Sequence, residues 1–309
     1  MPGFERWRRA MTRSLYGPGG FYRREVPAHH FSTSAQTSTF ADAIARLAGE
    51  VDEALGSPEI FDVVDVGAGD GELLTHLAGL LDERARLVAV ELRPRPAGLP
   101  ERIEWRAEIP SGVRGLLVAC ELLDNVPCDV AVVDPEGRVR YEEADELGET
   151  RLGEEIDDAD AKWLAEWWPL REPGRRAELG APREAMWRRL NDAVTAGSAL
   201  AIDYGHTGET RPPAGTLAAF RDGRPVRPVP DGNCDITAHV AVDALGCDQL
   251  QTQRKALRAL GLKTERPPLS QAYRDPTGYA MALAKATAAT RLTDPGGLGA
   301  HWWMLSSRP

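Results

Sequence analysis

Val64-Asp65-Val66-Gly67-Ala68-Gly69-Asp70-Gly71-Glu72 is the stretch whose reading decides the fold. A run of branched apolar residues, Ile60–Val66, enters a glycine-rich turn. Glu72–Leu81 leaves it with Leu73, Leu74, Leu77, Leu80 and Leu81 on one helical face. A buried strand, a tight turn and a helix in that order predict one unit of a parallel sheet. The glycines let the backbone turn sharply and approach a bound ligand.

The charges around the turn indicate which ligand. A dinucleotide fingerprint, G-x-G-x-x-G, wants glycine or alanine at its third small position, where this chain has Glu72. A carboxylate there would meet a pyrophosphate at the helix start, like charge against like. The spacing here is G-x-G-x-G with Asp65 before it. That pattern suits S-adenosylmethionine, which carries a sulfonium cation and no phosphate. Val88-Ala89-Val90-Glu91 ends the next strand with an acid about 20 residues past the glycines, the spacing at which a carboxylate reaches a ribose diol. Glu108 is placed to accept from the adenine amine, with Trp105 or Leu92 packing on the ring. The expected cofactor residues are therefore Asp65, Gly67, Ala68, Gly69, Gly71, Glu91 and Glu108.

Outward from this unit, strands and helices alternate. Arg86–Glu91, Ile103–Trp105, Leu116–Cys120 and Val130–Asp134 read as further strands, and 184–195 as a helix leading into the strand Ala199–Tyr204. The alternation predicts an α/β fold with a doubly wound parallel sheet. Upstream, residues 5–15 read as a short helix. Residues 37–55 read as an amphipathic one with Phe40, Ile44, Leu47, Val51 and Leu55 at helical spacing. The expected organisation is an N-terminal helical segment over 1–56 covering the site, then one domain over 57–309 with an acidic, Trp-rich insert near 141–190. The acids of 141–160 read as a solvated surface, and Trp163, Trp167 and Trp168 as a packing interface. Residues 206–233, rich in Pro, Gly and Arg, read as a long loop, and 249–260 as the last clear helix.

Ligands of open α/β sheets bind beyond the carboxyl ends of the strands. There the chain reads Cys120-Glu121-Leu122-Leu123-Asp124, and later Ile202-Asp203-Tyr204. Glu121, Asp124 and Asp203 are the candidate catalytic residues, able to orient an amine or guanidine and manage its proton. His239 reads as a structural tie for the 206–233 loop in preference to a general base, which would need reach to the acceptor, and His76 and His301 read as uninvolved. His29-His30 lacks the partner spacing of a metal site, so no metal is expected.

Composition narrows the partners. The chain has 309 residues and a formal net charge of −10. Such a balance disfavours nucleic acid and anionic membrane. No apolar run approaches a membrane span, and the basic start Phe4–Met11 has no apolar core of a secretory signal. Four dispersed cysteines fit a reduced, cytoplasmic setting.

A series of short blocks resembles the MidA-like family, which includes the mitochondrial complex I assembly methyltransferase. The blocks are Leu15-Tyr16 with Gly20-Phe21-Tyr22, Phe31-Ser32-Thr33-Ser34, Cys120 to Pro127, Ile202-Asp203-Tyr204-Gly205, Gly215-Thr216-Leu217, Asp235-Ile236-Thr237-Ala238-His239-Val240, Gln251-Thr252-Gln253 and Gly297-Leu298-Gly299. They run in order through nearly the whole chain. The resemblance implies a Rossmann-like, seven-stranded class I methyltransferase sheet, S-adenosyl-L-methionine as cofactor, and a protein arginine as methyl acceptor. A small-molecule acceptor and a homodimer are left open. The chain departs from the family at Ala35-Gln36, where Pro-Glu is usual, at His30, where an acid is usual, and near Arg221-Asp222, where a histidine is absent. These departures keep a non-catalytic binding or assembly protein as the alternative. A nucleotide-dependent oxidoreductase is opposed by Glu72.

Overall fold

The structure is a computed structural model, and it describes residues 3–25 and 33–309. His29, His30, Phe31 and Ser32 lie outside the described residues. Seven strands form the central sheet: β1 (Phe61–Val66), β2 (Ala85–Val90), β3 (Ile103–Arg106), β4 (Val113–Cys120), β5 (Val194–Asp203), β6 (Gln249–Thr252) and β7 (Trp302–Arg308). Their order is β6-β7-β5-β4-β1-β2-β3. Strands β1 to β5 are parallel, while β7 runs antiparallel to both β5 and β6. The order reverses between β1 and β4, where a crevice opens at the strand ends.

Both faces of the sheet are covered, which is why β1 is buried at every position and its residues are mostly branched and apolar rather than alternating, with Asp62 and Asp65 the exceptions. On one face the helix Ser38–Ala54 buries Phe40, Ile44, Leu47 and Val51 beside Leu73, Leu74 and Leu77 of the helix Glu72–Ala78. Thr37 caps the first of these helices by accepting from Phe40 N at 3.2 Å. On the other face the helix Ala181–Ala193 presents Trp187 and Leu190 to Val64, Leu117 and Ala199. Each such side chain contributes roughly 1.5–3 kcal/mol through burial.

Several expectations need correction. Val130–Val133 is not a strand of the central sheet. It pairs antiparallel with Val139–Ala144 and Arg176–Glu178 in a second, five-stranded sheet that also takes in Glu5–Arg6 and Thr150–Glu155. The acidic stretch is part of that sheet and not simply solvated. Glu142 accepts from Trp7 Nε1 at 2.8 Å and from Arg176 Nη2 at 2.7 Å, and Asp145 Oδ1 accepts from Leu147 N and Glu149 N. Trp163 and Trp168 are buried and Trp167 partly so, as a packing role requires.

The 206–233 loop contains a hairpin, Ala218–Arg221 with Arg224–Val226, closed by Asp222-Gly223 at φ 51° and 69°. An Asp-Gly pair with both φ positive is a two-residue hairpin turn. The segment 249–260 is the strand β6 followed by the helix Gln253–Ala259, and two later helices follow, Leu269–Arg274 and Pro276–Leu292. Near the start, the expected 5–15 helix is a two-residue strand, a helix over Trp7–Met11 and a wider turn over Thr12–Tyr16. Trp7, Met11, Leu15 and Phe21 pack against Cys128, Val130 and Ile236. Among the described residues no helix is long and apolar enough to cross a membrane.

Candidate active site

A cavity of about 1060 Å³ lies over the carboxyl ends of β1, β2, β4 and β5. One part of its wall is the turn after β1. Gly67 and Gly69 hold φ of 79° and 59°, and the N–H groups of Gly67 and Ala68 donate to Val90 O at 2.9 and 3.2 Å, tying the turn to β2. A Cβ on Gly67 would stand 3.1 Å from Leu122 Cδ1 on the opposite wall. The absence of side chains there keeps the crevice open.

Glu91 follows β2 and its carboxylate organises the same turn. Oε2 accepts from Gly69 N at 3.0 Å, and Oε1 accepts from Leu92 N at 2.8 Å and Arg93 N at 3.1 Å. Arg93 in turn pairs with Asp70 at 2.8 Å. Asp65 also lines the cavity, and burial, with Glu72 and Glu91 nearby, pushes its carboxyl up to about 7. This end of the cavity is thus walled by carboxylates and main-chain atoms, and among the described residues no Arg or Lys side chain lines it beside the 67–70 turn. That chemistry fits a sulfonium nucleoside better than a pyrophosphate.

Asp65, Gly67, Ala68, Gly69 and Glu91 all line this end of the cavity. Gly71 sits behind it, opening the helix Glu72–Ala78 at φ 79°, where a Cβ would strike Leu99. Glu108 is exposed between Ala107 and Ile109, which do line the cavity.

The other end of the cavity is built from the segment after β4. Glu121 holds a left-handed φ of 54°, a conformation that side-chain-bearing residues rarely adopt. Its N–H donates to Ile202 O at 2.8 Å, which fastens β4 to β5 and turns the carboxylate toward the cavity. Burial and the neighbouring Asp124 push that carboxyl up to about 8. Asp124 is 3% exposed. Its Oδ2 accepts from the Tyr204 and Thr237 hydroxyls, while its buried Oδ1 has no partner among the described residues. Burial raises its pKa, although the Tyr204 and Thr237 hydroxyls, the charge of Arg183 and the adjacent Asn125 N–H act the other way.

Asp203 is placed differently from the other two candidate acids. It is 1% exposed and does not line the cavity. Its Oδ2 accepts from Leu123 N at 2.8 Å and Asp124 N at 3.2 Å, and its Oδ1 from Tyr204 N at 3.0 Å. It shapes the turn that carries Asp124.

Sequence reasoning gave no role to several residues that complete this end. Asp235 accepts from Tyr22 OH at 2.6 Å and Asn125 Nδ2 at 2.9 Å, and burial pushes it up to about 7. Tyr16 stacks on Tyr22 with ring centroids 5.6 Å apart and donates to Asn125 O. Their signal was the Leu-Tyr and Gly-Phe-Tyr blocks, which by themselves name no partner. His301 also lines the cavity, 5.6 Å from the Tyr204 ring, and burial lowers its pKa to about 4. His239 lines the cavity too, packed edge-on to Tyr204 at 5.0 Å. Its main-chain N–H donates to Thr216 Oγ1 at 2.9 Å, and Glu178 holds Thr216 and Leu217 in turn, so the main chain of this segment, not the imidazole, meets the loop.

Residues 43–263 match the model of a family described as "Putative S-adenosyl-L-methionine-dependent methyltransferase". The chain belongs to this methyltransferase family. A Burkholderia thailandensis protein crystallised with S-adenosyl-homocysteine is 25% identical to the methyltransferase described here, with a TM-score of 0.80 over 99% of this chain and 88% of that one. The native crystal structure of an uncharacterized protein from the same organism is 26% identical, with a TM-score of 0.78 over the same shares. No curated protein matches the chain. The methyltransferase is thus S-adenosylmethionine-dependent and has the class I α/β fold.

Proposed function

We propose that this methyltransferase acts on a nitrogen of a cationic side chain in a protein, an arginine by its likeness to the MidA-like family. Asp124 carries the reading. One of its oxygens is held by two hydroxyls and the other is buried without a partner, in a cavity that also presents Glu121 and Asp235. An unpaired buried carboxylate oxygen is costly unless a donor arrives from a ligand. At about 1060 Å³ the cavity also exceeds the room one small ligand takes, so a nucleoside and a side chain can share it.

The cofactor, when bound, supplies a methyl group already activated on a sulfonium. Asp65, Gly67, Ala68, Gly69 and Glu91 would hold it, with Gly71 setting the helix start and Glu108 at the rim. The remaining work is alignment, exclusion of water and management of one proton. Asp124 Oδ1 orients the acceptor nitrogen and takes the proton that nitrogen loses as its bond to carbon forms. Glu121 and Asp235 balance the acceptor's charge. Asp203 contributes by fixing the turn rather than by touching the acceptor. The four cysteines are free, which suits the reducing cytoplasm.

The test is transfer of labelled methyl from S-adenosylmethionine into a protein extract from cells lacking this chain, with mass spectrometry of the labelled peptides. Label on arginine nitrogen is the expected result. Label confined to oxygen, carbon or small molecules would overturn the acceptor class.

A further inference from the structure

Arg183 stands in the first turn of the helix Ala181–Ala193, and its side chain is among the largest that the fold buries completely, at 1% exposure. Its guanidinium donates from Nε to Leu123 O at 3.0 Å, from Nη2 to Asp124 O at 3.2 Å and from Nη1 to His239 O at 3.3 Å. All three partners are main-chain carbonyls, and among the described residues no carboxylate forms an ion pair with it. A buried cation with no direct ion pair is costly, and the fork of an arginine is what lets three fixed acceptors share it.

The three carbonyls belong to two segments that are distant in sequence. Leu123 and Asp124 follow β4, whereas His239 follows Thr237, whose hydroxyl donates to Asp124 Oδ2 at 2.7 Å. Ala238 N donates to Asp124 O at 3.1 Å, so one carbonyl of the acceptor turn is held from both sides.

We propose that Arg183 is a positioning residue for methyl transfer, a buried clamp that joins the 121–124 turn to the 237–239 segment and keeps Asp124 Oδ1 aimed at the acceptor. This rests on the reading that Asp124 receives the acceptor nitrogen. The charge of Arg183 also acts on Asp124 in the direction that favours its ionised form. Glu121, Asp203 and Asp235 are the other acids packed around that carboxyl, and Tyr16, Tyr22, Tyr204 and His239 are the other titratable groups that face it. Arg183 lends Asp124 a nearby positive charge without consuming the free oxygen.

The experiment compares the parent chain with R183K, R183M, D124N and the R183M/D124N pair. Calorimetry with S-adenosylhomocysteine checks the fold and the cofactor end. The pH profile of labelled methyl transfer into the extract reads the acceptor end. R183M should bind S-adenosylhomocysteine within about twofold of the parent and transfer at least about tenfold more slowly. The midpoint of its rising pH limb should move to higher pH, because a carboxyl that loses a nearby cation ionises later. R183K should keep the parent midpoint while staying slower, since one ammonium restores the charge but cannot span three carbonyls. In the D124N background R183M should cost less than about twofold more.

A parent-like rate and profile in R183M would overturn the proposal, as would a loss with an unmoved midpoint that is equally large beside D124N. If R183M does not bind the cofactor product, R183K decides, and a parent-like rate there refutes the clamp. Full activity in D124N would instead refute the acceptor reading and, with it, the aim assigned to Arg183.

Discussion

Replacing Glu91 by glutamine should weaken S-adenosylhomocysteine binding by tenfold or more, and the size of the loss follows from how its oxygens are used. A carboxylate offers roughly four lone-pair positions. Three of these are taken by Gly69 N, Leu92 N and Arg93 N, leaving one on Oε2. A ribose can therefore gain one charge-assisted hydrogen bond without disturbing the turn, worth about 1.5–3 kcal/mol, or roughly tenfold to 150-fold in affinity. Glutamine keeps the size but sets an NH₂ against Gly69 N–H or against the other two donors, so the turn is strained as well. Glu91→Ala should cost about 1–3 kcal/mol. Isothermal calorimetry with S-adenosylhomocysteine measures the loss, and circular dichroism confirms that the variant is folded. An affinity within twofold of the parent in a folded Glu91→Gln protein would show that the ribose does not lie on this carboxylate.

Gly69→Val should abolish detectable cofactor binding, since φ of 59° is hostile to a branched residue and its side chain would point at Glu72 and the crevice; calorimetry on the folded variant checks it. The cofactor-free chain should lose thermal stability as the pH rises from about 7 to about 8.5 at constant ionic strength. Buried Asp65, Glu121 and Asp235 are raised to about 7, about 8 and about 7, so in that window the folded chain still holds protons that the unfolded chain has released. His206 and His301, lowered to about 3 and about 4, act only in acid, and a melting temperature that climbs between the two pH values would contradict the burial of these acids. Asp203→Asn should cost about 1–3 kcal/mol of stability in chemical denaturation and slow methyl transfer while sparing cofactor affinity, because its loss disturbs the main-chain donors that shape the Asp124 turn. Denaturation identical to the parent would remove it from that role.

The central sheet was legible because its signal is local. Ile60–Val66 and Arg86–Glu91 are bounded apolar runs, and burial on both faces makes such runs continuous. The second sheet was not, because Val130–Val133 looks the same by periodicity whether it pairs parallel in the core or antiparallel elsewhere. What separates the cases is partners more distant in sequence, such as Glu178 opposite Val130 and Ala144 opposite Glu5. The acids of 141–160 misled for a related reason. Charge density suggests solvent, yet Arg176 and Trp7 reach Glu142 from other segments. The Asp222-Gly223 hairpin carried its turn signal openly, but Arg and Pro in the flanking residues hide the strands.

At the site the division runs between groups that face the cavity and groups that hold them there. Asp124 and Asp203 are both acids at strand ends, and a sequence gives no ground for ranking them. The difference is a matter of acceptor capacity. Asp203 receives three main-chain N–H groups and so completes the protein's own hydrogen bonding, while Asp124 keeps one oxygen free. A site needs both kinds, since a buried carboxylate can be left unsaturated only where its neighbours are fully committed to fixing it. Glu121 follows the same logic in its backbone. Its left-handed φ is tolerated because the bond to Ile202 O secures the turn, and that strain sets two carboxylates from one short segment against the same cavity.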